Sequence, residues 1–521
     1  MTFDPSDFAS QVSYPWLPDQ GDGSFRNPII CADYSDPDLI RDGDDFYLVS
    51  SSFNCTPGLP ILHSRDLVNW TIINHAIKNL PDESYNAVRA GCGVWAPSIR
   101  KHAGKFWIFF PTPDEGIYVT TADHPAKEWS PPHLLLAGKG LIDPCPLWDD
   151  DGKAYLVHAY AQSRSGIKHQ LRVRPMSPDA KQILGAGKVV FDDPKNQPTL
   201  EGPKFLKKDG WYYILAPAGG VETGWQLVLR SKNIYGPYEE KKVLEQGRTP
   251  INGPHQGGLE QLPNGEWWFV HFQDTKPGPY GRVLHLQPVE WKSDWPMMGM
   301  NGTADGIHQP VGRFRLPLNG TSQKPFAPQT SDEFDSPKLG LQWQWFANHK
   351  DNWASLVERA GWLRLRSQPV DSTDLSQTPN LLLQKTPARE FSVETSLQFA
   401  PKGKNEMAGL TVVGRNHAAI AIRNNGDQNE LVMIIDGKIQ VLAKLETANI
   451  RLRLQMADGG ACTFAYAACN EPFKLVGPTF QAREGVWIGA KVGLFSIATA
   501  YTSQESGHTD FDYFRFSKIE K

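Results

Sequence analysis

One turn recurs five times in the first half of the chain. It reads "DGDDFYLV" around Gly43, "AGKFWIFF" around Gly104, "DGKAYLVH" around Gly152, "DGWYYILA" around Gly210 and "NGEWWFVH" around Gly265. Each copy is a glycine-containing turn that enters a short strand of aromatic and β-branched residues. Successive glycines lie 61, 48, 58 and 55 residues apart, which is the length of one four-stranded sheet with its loops. Five such units predict an all-β first half built as a five-bladed β-propeller.

The segments ahead of these turns pair a proline with a side chain of chemical interest: "SDPDLI", "VWAPSI", "LIDPCPLW", "LEGPKF" and "NGPHQGG". Asp36, Trp95, Asp143, Glu201 and His255 lie seven to ten residues before the turn glycine of their blades. The first strand of a propeller blade lines the central channel, so equivalent positions converge near the axis. A single Asp or Glu is ordinarily a solvated loop residue. Three in register, with a Trp and a His in the same place, predict a shared pocket. Glycosidic bond cleavage is met by two carboxyl groups, one protonating the leaving oxygen and one activating water or attacking directly. A third acidic group beside the acid raises its proton affinity by like-charge repulsion and orients it. The Trp provides a stacking wall for a sugar ring.

Bulk properties agree with a neutral small-molecule or oligosaccharide partner. The 521 residues carry 53 basic and 57 acidic side chains, a formal charge of −4, which offers no attraction to nucleic acid or to an anionic membrane. Aromatic residues make up 11% of the chain, 17 of them Trp, as a sugar-stacking protein requires. Six cysteines (Cys31, Cys55, Cys92, Cys145, Cys462, Cys469) show no Cys-x-x-Cys or zinc spacing and read as free thiols. The N-terminal "MTFDPSDFASQVSYPWLPDQ" lacks a basic start followed by an apolar run, so the chain reads as cytoplasmic. A periplasmic or secreted protein whose signal peptide has been removed reads the same way. There is no Gly-x-Ser-x-Gly elbow, phosphate loop or dinucleotide fingerprint, and no organic cofactor is expected.

The motifs "YSDPDLIRDGDDFYLVSSSF", "GVWAPSIRKHAGKFWIF", "LIDPCPLWDDDGKAYLVHAY", "LEGPKFLKKDGWYY", "NGPHQGGLEQLPNGEWWFVHF" and "PYGRVLHLQPVEW" together resemble glycoside hydrolase family 43, the β-xylosidases, arabinofuranosidases and arabinanases. The resemblance implies an inverting mechanism in which Asp36 is the general base, Glu201 the general acid, and Asp143 the residue that tunes and positions Glu201. Asp33 and Asp38 are neighbours of Asp36, but only Asp36 directly precedes the proline as the family's base does. Arg282 matches the arginine that binds the hydroxyls of the terminal sugar, and Trp95 and Phe53 are candidate walls of the same subsite. In part of the family the residue matching His255 contacts a divalent ion, generally calcium, with water completing its shell. The related retaining fructosidases carry Asn-Asp-Pro where this chain has Ser35-Asp36-Pro37.

Residues 316 to 330, "LPLNGTSQKPFAPQT", shift to Pro, Gly, Ser and Thr and read as a linker. Beyond them "WLRLRSQ", "LRLQMA", "FAYAAC" and the alternating tail "DFDYFRF" predict an all-β sandwich. The expected division is 1–325 for the propeller and 326–521 for the sandwich. Xylosidase-like members of the family carry a C-terminal jelly-roll that packs on the propeller and lends a loop to the pocket rim. Trp487, in "GVWIGAKVG", is the expected rim residue. The reading is an exo-acting glycosidase that releases β-D-xylose from xylooligosaccharides. An α-L-arabinofuranosidase acting on arabinose-substituted oligosaccharides is the alternative, and a non-catalytic sugar-binding propeller is the alternative of another class. The partner is thus an oligosaccharide, with neither nucleic acid nor membrane, and a homo-oligomer is compatible with it.

Overall fold

The structure is a computed structural model that describes residues 4, 16–302, 305–317, 324–468, 470–499 and 506–520. Most of the N-terminal segment read above for a leader, part of the linker and Cys469 lie outside the described residues. The five repeats form five antiparallel sheets in chain order. Their first strands are Asp38–Asp42, Ser98–His102, Leu141–Trp148, Lys204–Lys208 and His255–Gln261. Each pairs with the strand beyond its turn glycine. All five turn glycines have φ between 64 and 92°. A Cβ on Gly43, Gly104 or Gly152 would meet nothing within 4 Å, so left-handed backbone, and not crowding, is what calls for glycine there. The fourth sheet is extended to six strands by Met300–Asn301 and His308–Gln309. The two ends of the propeller segment meet where Ser24–Arg26 pairs antiparallel with Arg313–Arg315.

The aromatic strands supply the packing between blades, with Phe46, Phe106, Phe109, Tyr213, Trp268 and Phe269 almost fully buried. Beneath the candidate site, four blades are tied by a buried polar cluster. Asp38 accepts from Arg100 Nη1 at 2.6 Å and from the Ile99 N–H at 3.0 Å. Lys204 Nζ lies 3.8 Å from the same carboxylate and donates to the Pro97 carbonyl and the Ser98 hydroxyl. Arg100 Nη2 reaches Cys145 Sγ at 2.9 Å. Removing one member would strand a buried charge, so Asp38 is committed to structure.

The second half is a β-sandwich of an eight-stranded and a seven-stranded sheet around one apolar core. The final strand, His508–Ser517, departs from strict alternation. A bulge opposite Ser396 and Leu397 skips Asp512, which brings Phe511, Phe514 and Phe516 to the core. The two halves share an interior. Tyr280 of the propeller is fully buried in the sandwich core, and Cys55 packs with Phe346, Leu383 and Phe495. Thr56 and Trp345 exchange backbone hydrogen bonds of 3.0 and 2.6 Å. The described cysteines, Cys31, Cys55, Cys92, Cys145 and Cys462, are free thiols. Among the described residues no helix is long and apolar enough to cross a membrane.

Candidate active site

Asp36, Asp143, Glu201, Trp95, Phe53, Arg282 and Trp487 line one cavity of about 450 Å³. They come from all five blades and one sandwich loop. Asp36 and Asp143 each sit just before a proline with left-handed backbone, φ 54° and 55°. This uncommon conformation turns their side chains out of the strand line and toward the pocket.

Both oxygens of Asp36 are held. Arg282 Nη1 donates to Oδ1 at 2.8 Å, and the Ser51 hydroxyl donates to Oδ2 at 2.6 Å. Arg282 is buried, and its guanidinium lies 4.8 Å above the Phe272 ring and 5.8 Å from that of Trp487. Its backbone N–H donates to Asp33 Oδ1 at 3.2 Å, while Asp33 Oδ2 accepts from the Gly489 N–H at 2.7 Å. Asp33 thus fastens the sandwich loop to the strand that carries Arg282.

Asp143 accepts from the Gly202 N–H at 2.8 Å. Burial, together with the negative charges of Glu201 and Asp36, pushes it up to about 8. Burial also acts to raise Glu201, whose side chain is 24% exposed to the pocket. The hydrogen bond and charge of His255, with Arg282 and Lys168, outweigh burial and hold Glu201 below the usual carboxylate range. The two carboxyl groups are thus shifted in opposite directions.

His255 does not line the cavity. It is fully buried behind Glu201, with Nε2 3.2 Å from Glu201 Oε1. Its other nitrogen, Nδ1, has no hydrogen-bond partner, and it is packed so closely on Gly224 that a Cβ there would stand 2.9 Å away. Calcium takes six to eight oxygen ligands. Among the described residues no group of three acidic, His or Cys side chains is placed to hold a metal. A single imidazole nitrogen is not the oxygen-rich donor set that calcium takes, and the structure gives His255 the carboxylate of Glu201 as a neighbour.

The aromatic walls differ in kind. Phe53 is 2% exposed, with φ 51° and a backbone bridge to Val94. Trp95 donates Nε1–H to the Gly91 carbonyl at 3.0 Å and lies 6.3 Å from Trp487, edge to face. Trp487 is 47% exposed, an aromatic at the rim and not in a core. The sequence reading did not single out Ser51, Lys168 or Gln256. Lys168 and Gln256 line the cavity. No residue type in "NGPHQGG" marks Gln256 as a pocket residue.

A family profile described as glycosyl hydrolases family 43 matches residues 25–296. A second, described as the beta xylosidase C-terminal concanavalin A-like domain, matches residues 331–517. A putative beta-xylosidase of Xylanibacter ruminicola is 39% identical over 91% of this chain and 86% of its own length. A non-reducing end alpha-L-arabinofuranosidase of Bacteroides ovatus is 33% identical over 95% of each. The crystal structure of a xylan beta-1,4-xylosidase from Bacillus halodurans superposes with a TM-score of 0.83 at 27% identity, covering 94% of this chain and 99% of that one.

Proposed function

The chain belongs to glycosyl hydrolase family 43 and is a glycosidase, and from that premise we propose that it is an exo-acting, inverting β-xylosidase. In this reading the propeller of residues 1–325 houses the chemistry and the sandwich of residues 326–521 closes the pocket. The carrying observation is the meeting of Asp36, Asp143, Glu201 and Arg282 in a cavity roofed by Trp487. A cavity of about 450 Å³ walled by Phe53, Trp95 and Trp487 suits one or two sugar residues, as removal of a terminal unit requires.

Asp36 acts as the general base. Arg282 and Ser51 fix both of its oxygens, so the carboxylate is oriented before substrate arrives, and it takes a proton from the water that attacks the anomeric carbon. Glu201 acts as the general acid toward the leaving oxygen. Substrate binding removes water from its exposed side, and desolvation raises its proton affinity toward that of Asp143. Protonated Glu201 then delivers its proton to the leaving oxygen. Asp143 positions Glu201 through Gly202, and His255 holds Glu201 Oε1.

The arabinofuranosidase reading is supported by the Bacteroides ovatus relative. It calls for the same carboxylates and differs in the hydroxyl pattern the pocket accepts. A proton NMR time course of xylobiose hydrolysis tests the proposal through the first anomer released. Early α-xylose is expected, with room for a water between the carboxyl groups, a separation of about 6.5–9.5 Å in inverting enzymes. Early β-xylose would recast Asp36 as a nucleophile, and arabinofuranoside turnover without xyloside turnover would move the substrate.

A further inference from the structure

The propeller repeats one backbone device at the entrance to its first strands. Asp36, Asp143, Gly202 and Gln256 have φ of 54°, 55°, 59° and 47°. The first three directly precede Pro37, Pro144 and Pro203, and Gln256 precedes Gly257. In the second blade the residue before the proline is Ala96. Counted this way, Gln256, and not His255, occupies in the fifth blade the place that Asp36 and Asp143 occupy in the first and third. Asp36, Ala96, Asp143 and Gln256 all line the cavity.

Three observations show that the Gln256 side chain is aimed and unspent. The strand register slips between His255 and Gly257 opposite Phe272 and His271, a bulge that re-aims the side chain of Gln256. Gly202 clears its path, since a Cβ there would come 2.9 Å from Gln256 Cγ and Cδ. The residue is 4% exposed, and its Nε2 is buried without a hydrogen-bond partner. A buried amide donor without a partner is costly to keep, and a left-handed backbone at a long side chain adds to that cost. Nε2 is closed to solvent as it stands, while the residue lines the cavity, so a turn of the amide about its last bond presents the N–H to a ligand that accepts it. A neutral amide suits this place, because a further carboxylate would stand beside Asp143 and Glu201.

We propose that Gln256 is a specificity-determining residue of the glycosidase pocket, its Nε2 donating a hydrogen bond to one ring hydroxyl of the non-reducing terminal sugar beside Gly202. This rests on the glycosidase reading above. The test compares kcat/KM of the wild type and Gln256→Met on an aryl β-xyloside and on its 2-, 3- and 4-deoxy counterparts. The wild type loses about 5- to 100-fold on the deoxy sugar that lacks the contacted hydroxyl, the range for a buried donor left unpaired. Gln256→Met loses a similar factor on the parent glycoside and treats that one deoxy sugar and the parent alike, while its other two deoxy penalties match the wild type. A purely structural role would leave all three wild-type penalties in place, and that result overturns the proposal. If the Met variant does not fold, Gln256→Asn, which accepts left-handed backbone readily and withdraws the amide by one methylene, carries the same comparison. If the wild type acts on an arabinofuranoside instead, the deoxy set of that sugar is used. Wild-type turnover of neither glycoside overturns the substrate reading, and Gln256 with it, before any variant is measured.

Discussion

Asp143 and Glu201 are two carboxylates in one pocket with opposite proton affinities, and the contrast comes from their neighbours. Asp143 is enclosed, with one backbone N–H for company, whereas Glu201 faces His255 and the charges of Arg282 and Lys168. The pH dependence of stability follows. Burial pushes Asp143 up to about 8 in the folded state, against an ordinary aspartate value of 3.8, so between these pH values the native state holds more protons than the unfolded chain. Stability from this group is fully present below about pH 4 and is lost as the pH rises through 8. Asp143→Asn, whose Oδ1 can still accept from Gly202, should melt like the wild type near pH 4 and a few °C higher at pH 8. Parallel melting curves of the two proteins across this range would refute the enclosed carboxyl. For Glu201 the sharper assay is the leaving group. Glu201→Ala should lose about 10²–10⁴-fold on xylobiose and much less on aryl xylosides whose leaving groups need little protonation. Equal losses on both would remove it from the acid role. Asp36, Asp143 and Glu201 were readable from their place before the turn glycines, and Arg282 from "PYGRVLHL". Gln256 was not, because a left-handed φ and a bulge, neither visible as a residue type, decide where its amide points.

At the scale of elements, the loop from Gly485 to Gly489 reaches from the sandwich into the propeller pocket. Its approach depends on small residues on the other side. A Cβ on Gly281 would stand 2.3 Å from the Gly489 nitrogen, and one on Gly91 would stand 2.4 Å from Val486 Cγ1. Asp33 then pins Gly489 to the backbone of Arg282. The loop presents Trp487 at φ 66°, half exposed and edge-on to Trp95. Such an aromatic contributes chiefly to holding the sugar in ground and transition states alike. Trp487→Ala is expected to raise KM for xylobiose about tenfold with kcat changed far less. A fall in kcat at constant KM would mean that the loop acts on the chemistry itself. The glycine turns and the aromatic strands that follow them were legible because turn and strand chemistry is local. The expectation of an ion at His255 came from resemblance, whereas its contact with Glu201 came from the tertiary structure.

At the scale of the whole molecule, the two halves fold around shared residues. Tyr280 donates its hydroxyl to the Arg389 carbonyl at 2.8 Å and accepts the Gly459 N–H at 2.7 Å from within the sandwich. Asn54 Nδ2 donates to the Phe346 carbonyl at 2.7 Å, and the Leu80 N–H donates to Asn348 Oδ1 at 2.7 Å. Residues 1–325 expressed alone would expose this apolar and polar surface together. The isolated propeller is therefore expected to be aggregated or to melt well below the full chain. A soluble fragment with the full-length melting temperature would show that the interface is dispensable. The sequence by itself determined the five blades, the sandwich and the three carboxylates, since each is written in local periodicity, turn residues and spacing. Tertiary structure alone decided that Asp143 and Glu201 are shifted in opposite directions, that Asp38 is spent on Arg100 and Asp33 on the sandwich loop, and that Gln256 joins the pocket. Those outcomes depend on burial and on contacts between residues tens to hundreds of positions apart, and no local pattern encodes them.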